Sequence, residues 1–251
     1  MELKFLILYP DLMNLNSDIS NIKILKYRAE KRGIKVLVDE YQDEISNIDF
    51  KQYDLIFLGN GSDINQKIVL EKLQKQKSKI VESLEKGTFY FLIGGGSYIF
   101  GKYYYDALEK KVNALSIFDY YTEKKDFSYG NVNLKVNLSG KNVNVVGFEN
   151  SKNVIVNTNN YFGKIIGCSS KKVINKYDGF FIENVLCTNL NGPLFSKNPE
   201  LADWIIKLLL DRKYKCNIKL KNIDDKLEII AKNNIIKNIK KLMFNFLRAA
   251  R

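Results

Sequence analysis

Apolar and polar positions fall in blocks along the first hundred residues, and the period of each block identifies an element. Residues 3–8 are apolar apart from Lys4 and predict a strand. Tyr9-Pro10-Asp11 ends it, because proline withdraws an N–H and restricts the residue before it. Ile22, Leu25 and Ala29 then recur at helical spacing, with Asp18 or Ser20 placed to cap the helix and Gly33 to stop it. Residues 34–38 and 53–58 read as further strands, 65–86 as helical, and 89–93 as a strand buried on both faces, since five apolar residues run without a break. A β-α-β-α-β succession of this kind predicts an α/β fold with a doubly wound, largely parallel sheet.

Beyond residue 110 the pattern changes. Residues 132–138 alternate with period two, as a half-solvated strand does, and 143–148, 154–156 and 164–166 read as short strands separated by turns. Residues 180–186 read as the last strand and 198–210 as a helix. The expected organisation is one α/β domain over residues 1–211, strand-rich in its second half, followed by a basic tail over 212–251. In that tail Ile235, Ile239, Leu242 and Phe246 recur at i, i+4, i+7 and i+11, with Lys237, Lys240 and Lys241 mostly on the other side, which predicts an amphipathic basic helix. Such a helix packs on its own domain, docks a partner, or lies on a membrane surface or nucleic acid.

Charge adds less than it first suggests. The chain of 251 residues holds 40 Lys and Arg against 28 Asp and Glu, a formal net charge of +12. Lys, Asn and Ile are all abundant, so the excess reflects biased composition as much as a basic binding face. No stretch approaches the roughly 20 apolar residues of a membrane span, and the first residues lack the layout of a signal peptide. The expected location is the cytoplasm, with peripheral membrane contact left open to the basic tail. Cys168, Cys187 and Cys216 have no metal-ligand spacing and read as reduced thiols. The chain contains no histidine, which excludes a Ser-His or Cys-His pair and a His-ligated metal. No cofactor, metal or nucleotide site is expected: Gly59-Asn60-Gly61 lacks the Lys-Ser/Thr of a phosphate-binding loop.

The candidate site is the glycine turn Gly94-Gly95-Gly96, directly after the buried strand of 89–93. Ligands of open α/β sheets bind beyond the carboxyl ends of the strands. A nucleophile there sits on a sharp strand-to-helix turn, with neighbouring backbone N–H groups stabilising an oxyanion. Residue 94 is a glycine, so the turn carries no reactive atom. Gly95 and Gly96 are expected to present free N–H groups to a small anion or polar ligand above Gly94. Among substitutes, Ser97 reads as a helical hydroxyl bonded to backbone, and Cys168 and Cys187 as structural thiols. Lys102 reads as a solvated helix residue, and the acidic pairs Asp43-Glu44 and Asp224-Asp225 as caps or surface charges. Tyr103-Tyr104-Tyr105 reads as the edge of a core.

Several segments, in order, carry a resemblance. Tyr9-Pro10-Asp11-Leu12-Met13-Asn14 with Asp18 and Asn21, Gly59-Asn60-Gly61-Ser62-Asp63 with Gln66, and the glycine turn come first. Asp119 with Thr122, Gly147-Phe148-Glu149-Asn150, Gly192-Pro193-Leu194 and Lys197-Asn198-Pro199 follow. Together they resemble the cobyric acid synthase-like (CobB/CobQ-like) branch of the class I glutamine amidotransferases. Within it they resemble the amidotransferase subunits of lipid II isoglutaminyl synthases, which amidate the peptidoglycan stem peptide.

The resemblance implies a flavodoxin-like α/β fold, a cytoplasmic heterodimer with a Mur-ligase-like ATP-dependent subunit, and glutamine hydrolysis at a Cys-Gly-Gly-Tyr-Gln elbow. The departures fall on the chemistry. Gly94 stands at the cysteine position, and Asn191 replaces the histidine of the family's Leu-His-Gly-Pro. Ser151 follows Gly-Phe-Glu-Asn where the family has histidine, and Phe127 falls near an arginine that holds glutamine. Gly59, Gly61, Gly95 and Gly96 are implied substrate or oxyanion contacts. The expectation is a subunit that does not hydrolyse glutamine and scaffolds or regulates its partner. The alternatives are a glutaminase with a rearranged nucleophile and a basic nucleic-acid-binding module.

Overall fold

A computed structural model describes residues 1–42, 48–156, 158–170 and 176–249. The chain opens with β1 (Glu2–Leu8), α1 (Ser20–Glu30), β2 (Lys35–Tyr41), β3 (Leu55–Leu58), α2 (Asp63–Gln74), α3 (Lys77–Glu85), β4 (Phe89–Ile93) and α4 (Gly95–Phe100). It continues with β5 (Tyr103–Tyr105), β6 (Lys111–Asn113), β7 (Tyr121–Leu138), β8 (Lys141–Val156), β9 (Gly163–Cys168), β10 (Tyr177–Asp178), β11 (Phe180–Ile182), β12 (Val185–Thr188) and β13 (Leu190–Asn191). Two helices, α5 (Pro199–Tyr214) and α6 (Lys226–Ala249), complete it.

The central sheet has the order β11-β12-β4-β3-β1-β2, parallel except for the β11–β12 hairpin. Alternation along its strands divides the core in two. Leu3, Phe5, Ile7, Phe89 and Phe91 pack on α1, α5 and the second sheet, whereas Leu6, Leu8, Tyr90 and Leu92 pack beneath α2, α3 and α4. The second sheet, β10-β9-β7-β8-β13, is antiparallel and is built on one long hairpin. The short pair β5–β6 stands apart.

Five expectations need correction. Residues 65–86 are two helices, because 74–79 offer six polar residues in succession and no stripe to bury. Whereas 164–166 is β9 as expected, the strands expected at 132–138, 143–148 and 154–156 are parts of two long strands, β7 and β8. Charged residues in their lower halves hide the period, and a buried Lys125–Glu149 ion pair there takes a further hydrogen bond from Ser128 (2.6 Å). Residues 180–186 are a hairpin turning at Glu183-Asn184, where the Asn184 side chain donates to the carbonyls of Leu84 (2.8 Å) and Thr88 (3.0 Å). Neither Asp18 nor Ser20 caps α1; Ile19 precedes the helix without a side-chain cap, and Asp18 turns inward. Lys102 lies past the end of α4 and pairs with Asp119 at 3.0 Å.

The tail packs on its own chain. Ile239 is buried against the second sheet, where a Cβ at Gly167 would come within 2.9 Å of it. Lys232 is buried beside Glu200 (3.1 Å), and Leu242, Met243 and Phe244 face solvent. Ahead of α6, Asp225 is no surface charge. Arg28, 3% exposed, donates to both of its oxygens (2.6 and 3.0 Å) and to both of Asp203 (2.7 and 2.8 Å), and Arg32 adds a bond to Asp203 (2.6 Å). Asp224 accepts from the Lys226 N–H (3.2 Å) as a cap. Asp43 and Glu44 lie outside the described residues.

Candidate functional site

The uninterrupted apolar run of β4 drives the chain through the middle of the sheet and releases it at Gly94, where it turns at once into α4. Gly94 adopts φ 52°, ψ −119°, a conformation that L side chains enter only under strain. Gly96 is required for a different reason: a Cβ there would lie 2.7 Å from the Gly59 carbonyl, so its absence lets α4 close on the end of β3. The geometry is that of a nucleophile elbow.

Above it lies a cleft of about 330 Å³. Gly61, Gly94, Phe127 and Asn191 line it, together with Asn60 and Gln66 from the β3–α2 segment, Tyr98, Lys124 and residues 150–153. The structure thus collects Gly94, Asn191, Gly61 and Phe127 around one cavity, whereas Gly59, Gly95 and Gly96 do not line it. Phe127 is half exposed at the rim, 6.1 Å from the Tyr129 ring.

The Gly95 N–H is not free, contrary to expectation, because the Asn60 side chain has reached it first. Asn60 Oδ1 accepts from Gly95 N at 2.8 Å, and Asn60 Nδ2 donates to Asn191 Oδ1 at 3.3 Å. Asn16 Nδ2 donates to the same oxygen (3.2 Å), and Asn191 Nδ2 donates to the Asn189 carbonyl (3.0 Å). Both the oxygen and the nitrogen of the Asn191 amide are therefore engaged. A carboxamide has no proton to exchange near neutral pH, so this network holds geometry and transfers nothing.

Other candidate nucleophiles are disarmed. Ser97 is fully buried and donates to the Leu92 carbonyl (2.9 Å), as its reading predicted. Burial pushes the Cys187 thiol up to about 12. Burial also raises Cys168, whose Sγ donates to the Ser170 carbonyl (3.0 Å). Neither thiol lines the cleft. Among the described residues no group of three or more Cys, Asp or Glu side chains is arranged to hold a metal ion. Tyr104 is fully buried and Tyr103 is stacked on Tyr121 at 4.8 Å, as expected of a core edge, whereas Tyr105 lines the cleft.

Residues that the resemblance marked without giving them a role tie the cleft together. Asp18, fully buried, accepts the N–H groups of Gly192 (2.6 Å) and Asn60 (3.0 Å), joining three loops at one carboxylate. Asn21 donates to the Gly192 carbonyl (2.8 Å) and accepts from Phe195 N (3.1 Å). Asn198 clasps Val146 through both backbone groups (2.9 and 2.7 Å). Their places in the resembling segments were the available signal, and the loop-to-loop contacts were not.

Burial pushes the Asp18 carboxyl up to about 6, against the pull of its backbone N–H donors. Burial does the same to Asp178, up to about 6, against the Thr188 hydroxyl (2.6 Å). Both folded values exceed that of an unfolded Asp, so the folded state takes up these protons first. The resulting stabilisation is complete below about pH 4 and is lost as pH rises through about 6. Each group sets up to about 3 kcal/mol over that span. Denaturant titrations at about pH 5 and pH 7 are expected to differ less in Asp178→Asn than in the native protein. An unchanged difference would mean that Asp178 titrates normally.

Comparison with known proteins places this geometry. The family model for the CobB/CobQ-like glutamine amidotransferase domain matches residues 4–199. The chain is 34% identical over 227 residues, 90% of its length and 91% of the relative's, to the lipid II isoglutaminyl synthase (glutamine-hydrolyzing) subunit GatD of Staphylococcus aureus. It is 28% identical over 220 residues, 87% of its length and 84% of the relative's, to the subunit of the same name from Streptococcus pneumoniae. Among solved structures, PurLQS from Thermotoga maritima superposes with a TM-score of 0.54 at 14% identity, covering 85% of this chain and all of that one. A crystal structure of a glutamine amidotransferase gives 0.53 at 12% identity, covering 81% of this chain and 98% of its own. At such identities these two likenesses speak for the fold alone.

Proposed function

Because the chain belongs to the CobB/CobQ-like glutamine amidotransferase family, we propose that it is an amidotransferase-like subunit of the lipid II isoglutaminyl synthase kind that does not hydrolyse glutamine. Its role in this reading is to scaffold or regulate a Mur-ligase-like, ATP-dependent partner subunit in peptidoglycan stem-peptide amidation. Residues 1–211 form the amidotransferase-like domain, and 212–251 a basic tail whose described part is clamped to it.

One observation carries the reading: the elbow turn at residue 94 bears no side chain, and an amide, Asn191, lines the same cleft. Gly94 then stands at the nucleophile position and Asn191 at that of the base. The partner is expected because the relatives are named as subunits of a synthase.

Co-expression of the chain with the Mur-ligase-like subunit of the same organism, followed by affinity capture of either one, is expected to yield a stoichiometric complex. Capture of neither by the other, with both folded, would overturn the subunit assignment.

A further inference from the structure

We propose that Asn60 is a built-in stand-in for a substrate carboxamide, closing the elbow from within. The inference rests on the reading of Gly94 as the vacated nucleophile position. A Cβ at residue 94 would lie 2.8 Å from the Asn60 carboxamide carbon and 2.9 Å from its oxygen. Residue 60 and any side chain at 94 therefore compete for one space.

The orientation of the amide is more informative than its position. The N–H that follows an elbow nucleophile is a donor to the carbonyl oxygen that becomes the oxyanion. Here that donor is Gly95 N–H, and it bonds to Asn60 Oδ1 at 2.8 Å. A substrate carboxamide bound in this way would turn its nitrogen, the leaving group, toward the proton-transferring residue. Asn60 Nδ2 points to Asn191 at 3.3 Å. Oxygen, carbon and nitrogen of the side chain thus occupy the three stations that hydrolysis of an amide requires.

Asn60 is not a wandering rotamer. Its backbone N–H donates to the buried Asp18 (3.0 Å), and its carbonyl accepts from Leu15 N (2.9 Å). Gly59 and Gly61 on either side press directly on residues 12–18, where a Cβ on Gly61 would meet Met13 Sδ at 2.6 Å. The loop is fixed at both ends of the residue, which aims the carboxamide at the elbow. Asn60 is accordingly a positioning residue that keeps glutamine out, and the deep end of the cleft is closed before any ligand arrives.

The test compares thiol reactivity in Gly94→Cys and in Gly94→Cys with Asn60→Gly. Iodoacetamide carries a primary carboxamide; methyl methanethiosulfonate does not. Removing the Asn60 side chain is expected to accelerate alkylation by iodoacetamide on the order of tenfold or more, the worth of the hydrogen bond it gives up. The gain with methyl methanethiosulfonate should be clearly smaller. Equal iodoacetamide rates in the two variants would overturn the proposal. Equal gains with both reagents would overturn it too, since Asn60 would then only cover residue 94.

Should the strained cysteine variants fail to fold, Asn60→Ala in the otherwise native chain decides by hydrogen exchange. The Gly95 amide is expected to exchange on the order of tenfold faster and to regain protection when acetamide is added; unchanged protection would sink the assignment. Ammonia release by the native protein would defeat the inactive-subunit reading, while these comparisons would still decide the role of Asn60.

Discussion

Ammonia release from glutamine by the purified protein is expected to stay at the uncatalysed rate. An enzyme whose nucleophile and base act as a unit loses on the order of a million-fold in turnover when either is removed, and this chain lacks both. Gly94 offers no side chain, and Asn191 is an amide engaged with Asn16, Asn60 and the Asn189 carbonyl. The groups that might take over are Ser97, buried and bonded to Leu92, and two thiols that burial keeps protonated. No histidine is present anywhere to activate them. Ammonia measured with and without the partner subunit checks this. Release that disappears in Ser97→Ala, Cys168→Ala or Cys187→Ala would overturn it and identify the replacement. Restoring Gly94→Cys with Asn191→His is expected to recover almost nothing while Asn60 remains, and measurably more when Asn60→Gly is added.

Replacing Arg28 by methionine is expected to cost about 3 kcal/mol of stability, toward the low end for a broken ion-pair network because its carboxylates are only half-buried and Asp203 keeps Arg32. The guanidinium makes four hydrogen bonds to Asp203 and Asp225, and Arg32 reaches only Asp203. Asp225 would lose both of its bonds to Arg28. Thermal unfolding should fall by roughly 10 °C, and limited proteolysis should cut between α5 and α6. By contrast, Lys226→Ala, which removes an exposed 3.6 Å pair with Asp224, should leave unfolding within about 0.5 kcal/mol of native. Equal effects of the two substitutions would mean that the Arg28 cluster contributes no more than a surface pair.

The first half of the fold was legible because its central strands, β3 and β4, are buried on both faces. The run of 89–93 is apolar from end to end, and the strand has those bounds. The second half was not. Strand β7 carries Glu123, Lys124, Lys125 and Asp126, and its stability there comes from polar groups satisfying one another, as Lys125 and Ser128 do with Glu149. Hydrophobic period cannot report that. In the site, the places of Gly94 and Asn191 could be read by motif order, since each stands within a recognisable run. The work done by Asn60 could not, because its partners lie 35 and 131 positions away. Asp18 has the composition of a helix cap, and only the approach of Gly192 from 174 positions along the chain turns it into a tie between loops.

The Arg28 cluster also has a schedule. Arg28 and Asp225 are 197 positions apart, and a ribosome adding about 5–20 residues per second separates their synthesis by roughly 10–40 s. During that interval every strand of both sheets is completed, and α1 can dock through Ile22, Leu25 and Ala29. Its guanidinium meanwhile has no second carboxylate, even after Asp203 has been added. The tie between α1 and the segment ahead of α6 is therefore among the last to form, and the body of the fold must stand without it until residue 225 is free to dock.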